Sequence, residues 1–382
     1  MSVSCGDSDL ITTGIFSPAA EFPALVDTLI AYHLAVDDAP PGLRAVTSRS
    51  VGDDAREPSL LETTYALRNG SLQILSRRSL GFGEYLNAAL ATSTRSSIDY
   101  DFNPHVAGNL DLVPRPYRVH LPSTYDPSRP SPLLIGLHGR TSAGELHESK
   151  FFRFRQLADA KGWIYALPNG IVDPEGYRFW NATDACCNLY NLPVDDVAFI
   201  SKLIDDVSAL YNVDQQRIFV VGHSNGGFMA HRLACDLSDR IAAVVSIAGA
   251  QWLDPSNCNP TAAVRVLEIH PAADKLVFYN GGALPGGYPP HPSAHQTVET
   301  WAALNGCDLS PAKGRINLDL AAGVPGRETH VEHFRNCPGG GAVQLWTVQR
   351  ANHLLGPGPD AILQPGQDWP DAIFDFLADP GP

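Results

Sequence analysis

The run Arg217-Ile218-Phe219-Val220-Val221 passes without a break into Gly222-His223-Ser224-Asn225-Gly226-Gly227. It continues into Phe228-Met229-Ala230-His231-Arg232-Leu233-Ala234. The order is a buried strand, a Gly-x-Ser-x-Gly-Gly turn and a helix, and few architectures accept it. A serine on so sharp a turn is lifted out of the sheet. The N–H groups that follow it, with the helix N-terminus, can hold an oxyanion. The glycines allow strained backbone angles and close packing. Ser224 is therefore the candidate nucleophile, rather than part of a merely structural turn.

The rest of the chain from Arg115 onward alternates in the same way. Strands are expected at Tyr117–Leu121, Pro132–His138, Trp163–Leu167, Arg217–Val221, Ala242–Ala248, Val264–His270 and Val343–Val348. Helices are expected at Phe151–Lys161, after Pro193, after Ser224, at Ser293–Asn305 and at Asp368–Leu377. Buried strands alternating with helices imply an α/β fold built on a doubly wound, mostly parallel sheet. Catalytic groups then belong on loops at the carboxyl ends of the strands. Residues 113–382 read as this catalytic domain. Residues 1–112 read as an irregular, partly helical extension. Its apolar spacing suggests helices at 21–36 and 82–91, Asn69-Gly70 signals a turn, and the segments 47–56 and 91–101 read as loop.

A serine nucleophile needs a base, and the base an orienting carboxylate, in the chain order Ser, acid, His for this turn. Asp274 follows Val264–His270 after Pro271-Ala272-Ala273, and His353 follows Val343–Val348 after Gln349-Arg350-Ala351-Asn352. Both stand where a strand ends. Asp254 and Asp308 follow no strand end, and His330 and His333 precede the last strand. His291 and His295 lack a third ligand, so no metal is expected. Asp195 and Asp196 read as caps of the following helix. For the oxyanion hole the candidates are the Asn225 N–H and the Arg140 N–H, with Thr141 as an alternative, because Leu133–Leu137 ends in His138-Gly139-Arg140. His138 reads as structural. Phe228, Trp252 and Tyr279 are candidates for an apolar acyl or aryl pocket, or for core.

A formal charge of −14 argues against nucleic acid or an anionic membrane as partner. No apolar run is long enough to span a bilayer. Six of the seven cysteines lie between positions 186 and 337, without a Cys-x-x-Cys pair. That pattern reads as disulfides in an exported protein, secreted or periplasmic, rather than as free thiols. Cys307 with Cys337 is the favoured pair, and one of the vicinal Cys186/Cys187, with Cys187 as the candidate, is expected to join Cys235. The first residues, Met1-Ser-Val-Ser-Cys-Gly-Asp, show no signal peptide pattern.

Several segments occur together in order: His138-Gly139-Arg140, Trp180-Asn181-Ala182-Thr183-Asp184-Ala185-Cys186-Cys187-Asn188, Asp195-Asp196-Val197-Ala198-Phe199-Ile200, the Ser224 turn, His270-x-x-x-Asp274 with Tyr279-Asn280-Gly281-Gly282, and Trp301-x-x-x-Asn305-Gly306-Cys307. From about Tyr117 to the end the chain thereby resembles the polyhydroxybutyrate depolymerase and feruloyl esterase group of α/β-hydrolases. The family's triad falls on Ser224, Asp274 and His353. Two motifs depart from the pattern: Pro271-Ala272 stands where many members have Gly-Thr, and Ala351-Asn352-His353-Leu354-Leu355-Gly356 replaces Gly-Gly-His-x-Trp-Pro. The resemblance implies a cofactor-free serine esterase acting on hydroxyalkanoate oligomers or phenolic esters. Because the chain ends at Pro382 after its closing helix, soluble esters are expected rather than solid polymer. Alternatives are a serine peptidase of the oligopeptidase type and an inactive hydrolase fold used for binding.

Overall fold

A computed structural model describes backbone and side chains for Arg115 and for residues 117–314, 317–358 and 361–379, and backbone alone for four earlier strands. The chain divides into two compact units, Met1–Phe102 and Asn103–Pro382. In the first, β1 (Gly42–Arg49), β2 (Ser59–Arg68) and β3 (Ser71–Leu80) form an antiparallel sheet in the order β1-β2-β3. Arg68 pairs with Ser71, so the Asn69-Gly70 signal falls between paired strands. A further strand, β4, spans Ser97–Tyr100. Parts of the segments read as loop are therefore strand, at Thr47–Arg49 and Ser97–Tyr100. Strands this polar carry no apolar run to announce them. The expected helices at 21–36 and 82–91 lie outside the described residues.

The second unit is built on β5 (Tyr117–His120), β6 (Ser131–Leu137), β7 (Ile164–Pro168), β10 (Val213–His223), β11 (Ala243–Ile247), β12 (Arg265–Pro271), β15 (Ala312–Lys313), β16 (Thr329–His333) and β17 (Val343–Val348). Short hairpins β8–β9 (Ile171–Val172, Arg178–Phe179) and β13–β14 (Gly282–Ala283, Pro290–His291) lie outside this sheet. The order is β15-β16-β17-β12-β11-β10-β6-β7-β5. Pairing is parallel from β17 to β7 and antiparallel at both edges. This is the α/β-hydrolase arrangement expected from the alternation. The central strands are buried on both faces, as in Leu133-Leu134-Ile135, Val220-Val221, Val244-Val245 and Leu267 with Ile269. Each such side chain contributes about 1.5–3 kcal/mol relative to exposure. A parallel sheet needs this double cover, hence its unbroken apolar runs.

One helix differs from the sequence reading, and the short strands β8, β9 and β13–β16 are additions to it. The helix expected at Phe151–Lys161 is broken by Arg153 at φ 56°, leaving a turn at Glu148–Phe152 and a helix at Arg155–Lys161. The strand β16 has no apolar run, because only the two-residue β15 lies outside it and its exposed His330 and half-exposed Glu332 and His333 can stay polar. Asp195 does cap the helix Asp196–Leu210 through the Ala198 N–H. Asp196 does not act as a cap. It is fully buried and receives Arg115 Nη2 and the Asn181 N–H.

Disulfides join Cys307 to Cys337, Cys235 to Cys258, and Cys186 to Cys187. The expected Cys187–Cys235 bond is thus corrected. Cys235, in the last turn of the helix Asn225–Asp236, lies 5.2 Å (Cα–Cα) from Cys258 in the loop after β11, and the vicinal cysteines bond each other. Closing loops of 23 and 30 residues contributes about 3–4 kcal/mol each in the chain-entropy account. Among the described residues no helix is long and apolar enough to cross a membrane.

Candidate active site

β10 runs into Ser224, which adopts φ 55° and ψ −122°, a region that costs a non-glycine residue about 1–3 kcal/mol. The strain is held by its surroundings. The Ser224 N–H donates to Ile247 C=O at 2.8 Å, and the Ser224 C=O accepts from Gly227 and Phe228 at 2.7 and 3.0 Å. The two motif glycines are dictated by contact. A Cβ at Gly222 would lie 2.0 Å from the Gly226 carbonyl oxygen, and one at Gly226 would lie 2.2 Å from that of Leu137. The helix Asn225–Asp236 can start against the sheet only because these side chains are missing.

Asp274 and His353 come together from the ends of β12 and β17. His353 Nδ1 donates to Asp274 Oδ2 at 2.7 Å, while Asp274 Oδ1 accepts from the Leu276 and Val277 N–H groups at 2.8 and 3.0 Å. Burial works to raise the Asp274 carboxyl pKa. The hydrogen bond and charge of His353, the charge of His270 and the Leu276 amide outweigh it and hold the group below its ordinary value. With Nδ1 committed to the carboxylate, His353 Nε2 is the acceptor end of the ring. Ser224 and His353 line one cleft. The structure records no hydrogen bond between Ser224 Oγ and the His353 ring; such contacts commonly tighten only when substrate binds.

Two neighbours of the elbow hold loops in place. His223 Nε2 donates to the His353 C=O at 3.0 Å, tying the histidine loop to the residue before Ser224. Burial, then the charge on His353, drives the His223 pKa down to about 3, so the ring is neutral. Asn225 pairs with the Trp180 backbone in both directions, Trp180 N–H to Oδ1 at 2.7 Å and Nδ2 to Trp180 C=O at 2.9 Å. Its side chain is thereby occupied. Its N–H, the first of the helix, has no intrahelical acceptor. The Thr141 N–H donates to Arg178 C=O at 2.9 Å, which leaves Arg140 as the oxyanion candidate in that loop. His138 donates from Nδ1 to Gly139 C=O and accepts the Gly170 N–H at Nε2, at 2.7 and 2.9 Å. Burial lowers its pKa to about 4.

Next to Asp274 lies a buried network that sequence reasoning missed. Trp301 Nε1–H donates to His231 Nδ1 at 3.0 Å, so His231 carries its proton on Nε2 and gives it to Glu268 Oε2 at 3.0 Å. His270 faces Glu268 Oε1 through Nδ1 at 2.8 Å and the Val277 C=O through Nε2 at 3.0 Å. A carbonyl only accepts, so His270 Nε2 holds a proton, and Nδ1 shares one with a carboxylate. Desolvation opposes a charged His270, but the hydrogen bond and charge of Glu268, the Val277 carbonyl and the charge of Asp274 raise its pKa above the ordinary value. Its Nε2 lies 3.9 Å from Asp274 Oδ2. The signal available beforehand was a glutamate alternating with apolar residues inside a strand buried on both faces.

The sequence is similar to those of known proteins. A model of the alpha/beta hydrolase fold matches residues 181–283. The chain is 29% identical over 246 residues to feruloyl esterase B of Piromyces equi, covering 63% of this chain and 42% of that one. It therefore spans less than half the length of that relative. Poly(3-hydroxyalkanoate) depolymerase C of Paucimonas lemoignei is 25% identical over 256 residues, 63% of this chain and 55% of that one. The proposed esterase NocK of Nocardia uniformis subsp. tsuyamanensis is 32% identical over 273 residues, 69% of this chain and 72% of its own length. The chain belongs to the α/β-hydrolase esterases. Within them it groups with the feruloyl esterases and polyhydroxyalkanoate depolymerases.

In this α/β-hydrolase the cleft at Ser224 measures about 1050 Å³. Its apolar walls come from Leu146, Phe151, the Cys186–Cys187 disulfide, Leu276 and Leu284. None of the three aromatic pocket candidates lines it. Phe228, one turn into the helix Asn225–Asp236, points into the core and is fully buried. Trp252 borders a separate polar depression with Asn181, Arg232 and Asp236. The Tyr279 hydroxyl is bonded to Thr347 Oγ1 and His295 Nε2, and its ring packs edge-on to His270. Asp254 instead caps the short helical turn Pro255–Asn257.

Proposed function

We propose that the protein hydrolyses carboxylic esters through Ser224, His353 and Asp274. The observation that carries this reading is the Asp274–His353 hydrogen bond on the cleft that also exposes Ser224, held at a strained elbow. His353 Nε2 takes the Ser224 hydroxyl proton as Oγ bonds to the ester carbonyl carbon. Asp274 keeps the ring in the required tautomer and stabilises the imidazolium. The Asn225 and Arg140 N–H groups hold the oxyanion. Each such donor is worth on the order of 10²–10³ in rate. The tetrahedral species collapses, His353 protonates the departing alcohol, and an acyl-serine remains. Water, deprotonated by the same ring, then releases the acid.

The acyl and alcohol groups proposed are those that relatives' names indicate, feruloyl-type phenolic esters and hydroxyalkanoate oligomers. The apolar walls of the cleft suit either. Three disulfides support action in an oxidising compartment, secreted or periplasmic. The test is turnover of a p-nitrophenyl ester series with methyl ferulate and hydroxybutyrate oligomers, comparing wild type with Ser224→Ala. Hydrolysis that disappears in the variant supports the scheme, and a preserved rate refutes it.

A further inference from the structure

The cleft in front of Ser224 is opposite in charge to the protein that carries it. The chain has 41 acidic against 27 basic side chains. Among the described residues lining the cleft, every aspartate, glutamate, lysine or arginine is basic: Arg140, Lys150, Lys275 and Arg350. They come from separate segments, the loop after β6, the turn Glu148–Phe152, the residue after Asp274 and the approach to His353. This is convergence in space rather than a charge run in sequence. Arg140 is neutralised by Asp173, Nη2 to Oδ2 at 2.8 Å. Lys150, Lys275 and Arg350 are exposed and have no carboxylate partner among the described residues. Arg350 donates only to the Pro325 C=O, at 2.6 Å.

A second observation points to a ligand in the same place. Buried polar atoms are nearly always hydrogen-bonded. Yet Arg140 Nε, His147 Nε2, His223 Nδ1 and Tyr288 Oη, all on residues lining this cleft, have no partner. Arg140 Nε–H is an obligatory donor, and the Tyr288 hydroxyl can donate. An acceptor-rich ligand would satisfy these two donors. A neutral alkyl or aryl ester would occupy the apolar walls and leave the three uncompensated cations without use.

We propose that the substrates of this site are anionic: carboxylic esters that carry a free carboxylate elsewhere in the molecule, as a hydroxy-acid oligomer does at its acid end. The proposal rests on the ester-hydrolase reading and narrows it to a substrate class. The scissile carbonyl sits at Ser224 among apolar walls, and the carboxylate is held toward Lys150, Lys275 and Arg350. A cleft of one sign with low-dielectric walls also concentrates ligands of the other sign, despite an overall charge of −14 that repels them.

The experiment compares two p-nitrophenyl esters of equal chain length, the monoester of a dicarboxylic acid and the corresponding alkanoate. It uses wild type, the Lys150→Gln/Lys275→Gln double variant and its Lys→Arg counterpart. In wild type the kcat/KM ratio of anionic to neutral ester should be at least tenfold at low ionic strength. It should decline toward unity in ~0.5 M salt. The Gln variant should lose most of the preference and the Arg variant should keep it. A ratio near or below one at low salt overturns the proposal, as does a preference that the Gln variant retains. Turnover of neither ester overturns the ester-hydrolase reading itself, whereas turnover of the neutral ester alone overturns only the anion preference.

Discussion

Replacing His270 with leucine tests the buried network. Glu268 is fully buried and His270 is 1% exposed. Each Glu268 oxygen has one charge-assisted partner, His231 at 3.0 Å and His270 at 2.8 Å. Leucine removes one of them, strips the Val277 carbonyl of its donor, and takes a positive ring away from Asp274 at 3.9 Å. Breaking one side of a buried ion pair costs about 3–5 kcal/mol, because a charge is left uncompensated. A domain holds only about 5–15 kcal/mol in total, so the variant should remain folded but weakened. At about 2–4 °C per kcal/mol for a large domain, Tm should fall by roughly 10 °C. Urea unfolding at pH 7 measures the same loss as a lower midpoint at unchanged slope. The companion is Glu268→Gln, alone and combined with His270→Leu. The double variant should lose less than the sum, since the charge that leucine strands is then absent. A single-variant loss below about 1 kcal/mol, or strict additivity, would show that the pair carries no charge and refute the assignment of protons.

Two further outcomes follow from the site. Gly226→Ala places a methyl group 2.2 Å from the Leu137 carbonyl oxygen; it should displace the elbow, cost more than about 3 kcal/mol, and abolish ester turnover, checked by thermal melt and rate together. Stability should also fall between pH 7 and 5. His138 and His223, held by burial at about 4 and about 3, stay neutral in the fold while their unfolded counterparts take up protons below about 6.5. Each costs roughly 2 kcal/mol at pH 5. His147 acts in the same direction. The raised His270 has the opposite sign, but its contribution is complete once pH is below its unfolded value and offers no further compensation. A melting temperature that is flat or rises from pH 7 to 5 contradicts this account.

The elbow was legible because everything that makes it is local. An apolar run, two glycines and a helix-forming segment are consecutive in the chain. The positions of Asp274 and His353 could be read from one rule, that groups following buried strands gather at one end of a parallel sheet. The fold class followed from the same alternation. What escaped was whatever depends on facing residues far apart in sequence. Phe228 was offered as a pocket wall, but its helix turns it into the core. Glu268 acquired its meaning only when β12 placed it between His270 and His231 of the helix Asn225–Asp236. Half-exposed β16 and the strands of the first unit lack the apolar signature that identifies the central ones.

The amino-acid sequence by itself thus determined the central sheet, the turn that lifts Ser224 and the strand ends that carry Asp274 and His353, because short-range propensity and hydrophobic period suffice for them. Only the tertiary structure decided which cysteines meet, which loops wall the cleft, and where its charges lie. Those depend on crossing distances between elements: Cys235 bonds Cys258 rather than Cys187 because the end of one helix meets the next loop. Lys150, Lys275 and Arg350, scattered over 200 positions, share one cleft because the segments that follow β6, β12 and β17 gather at the carboxyl end of the sheet.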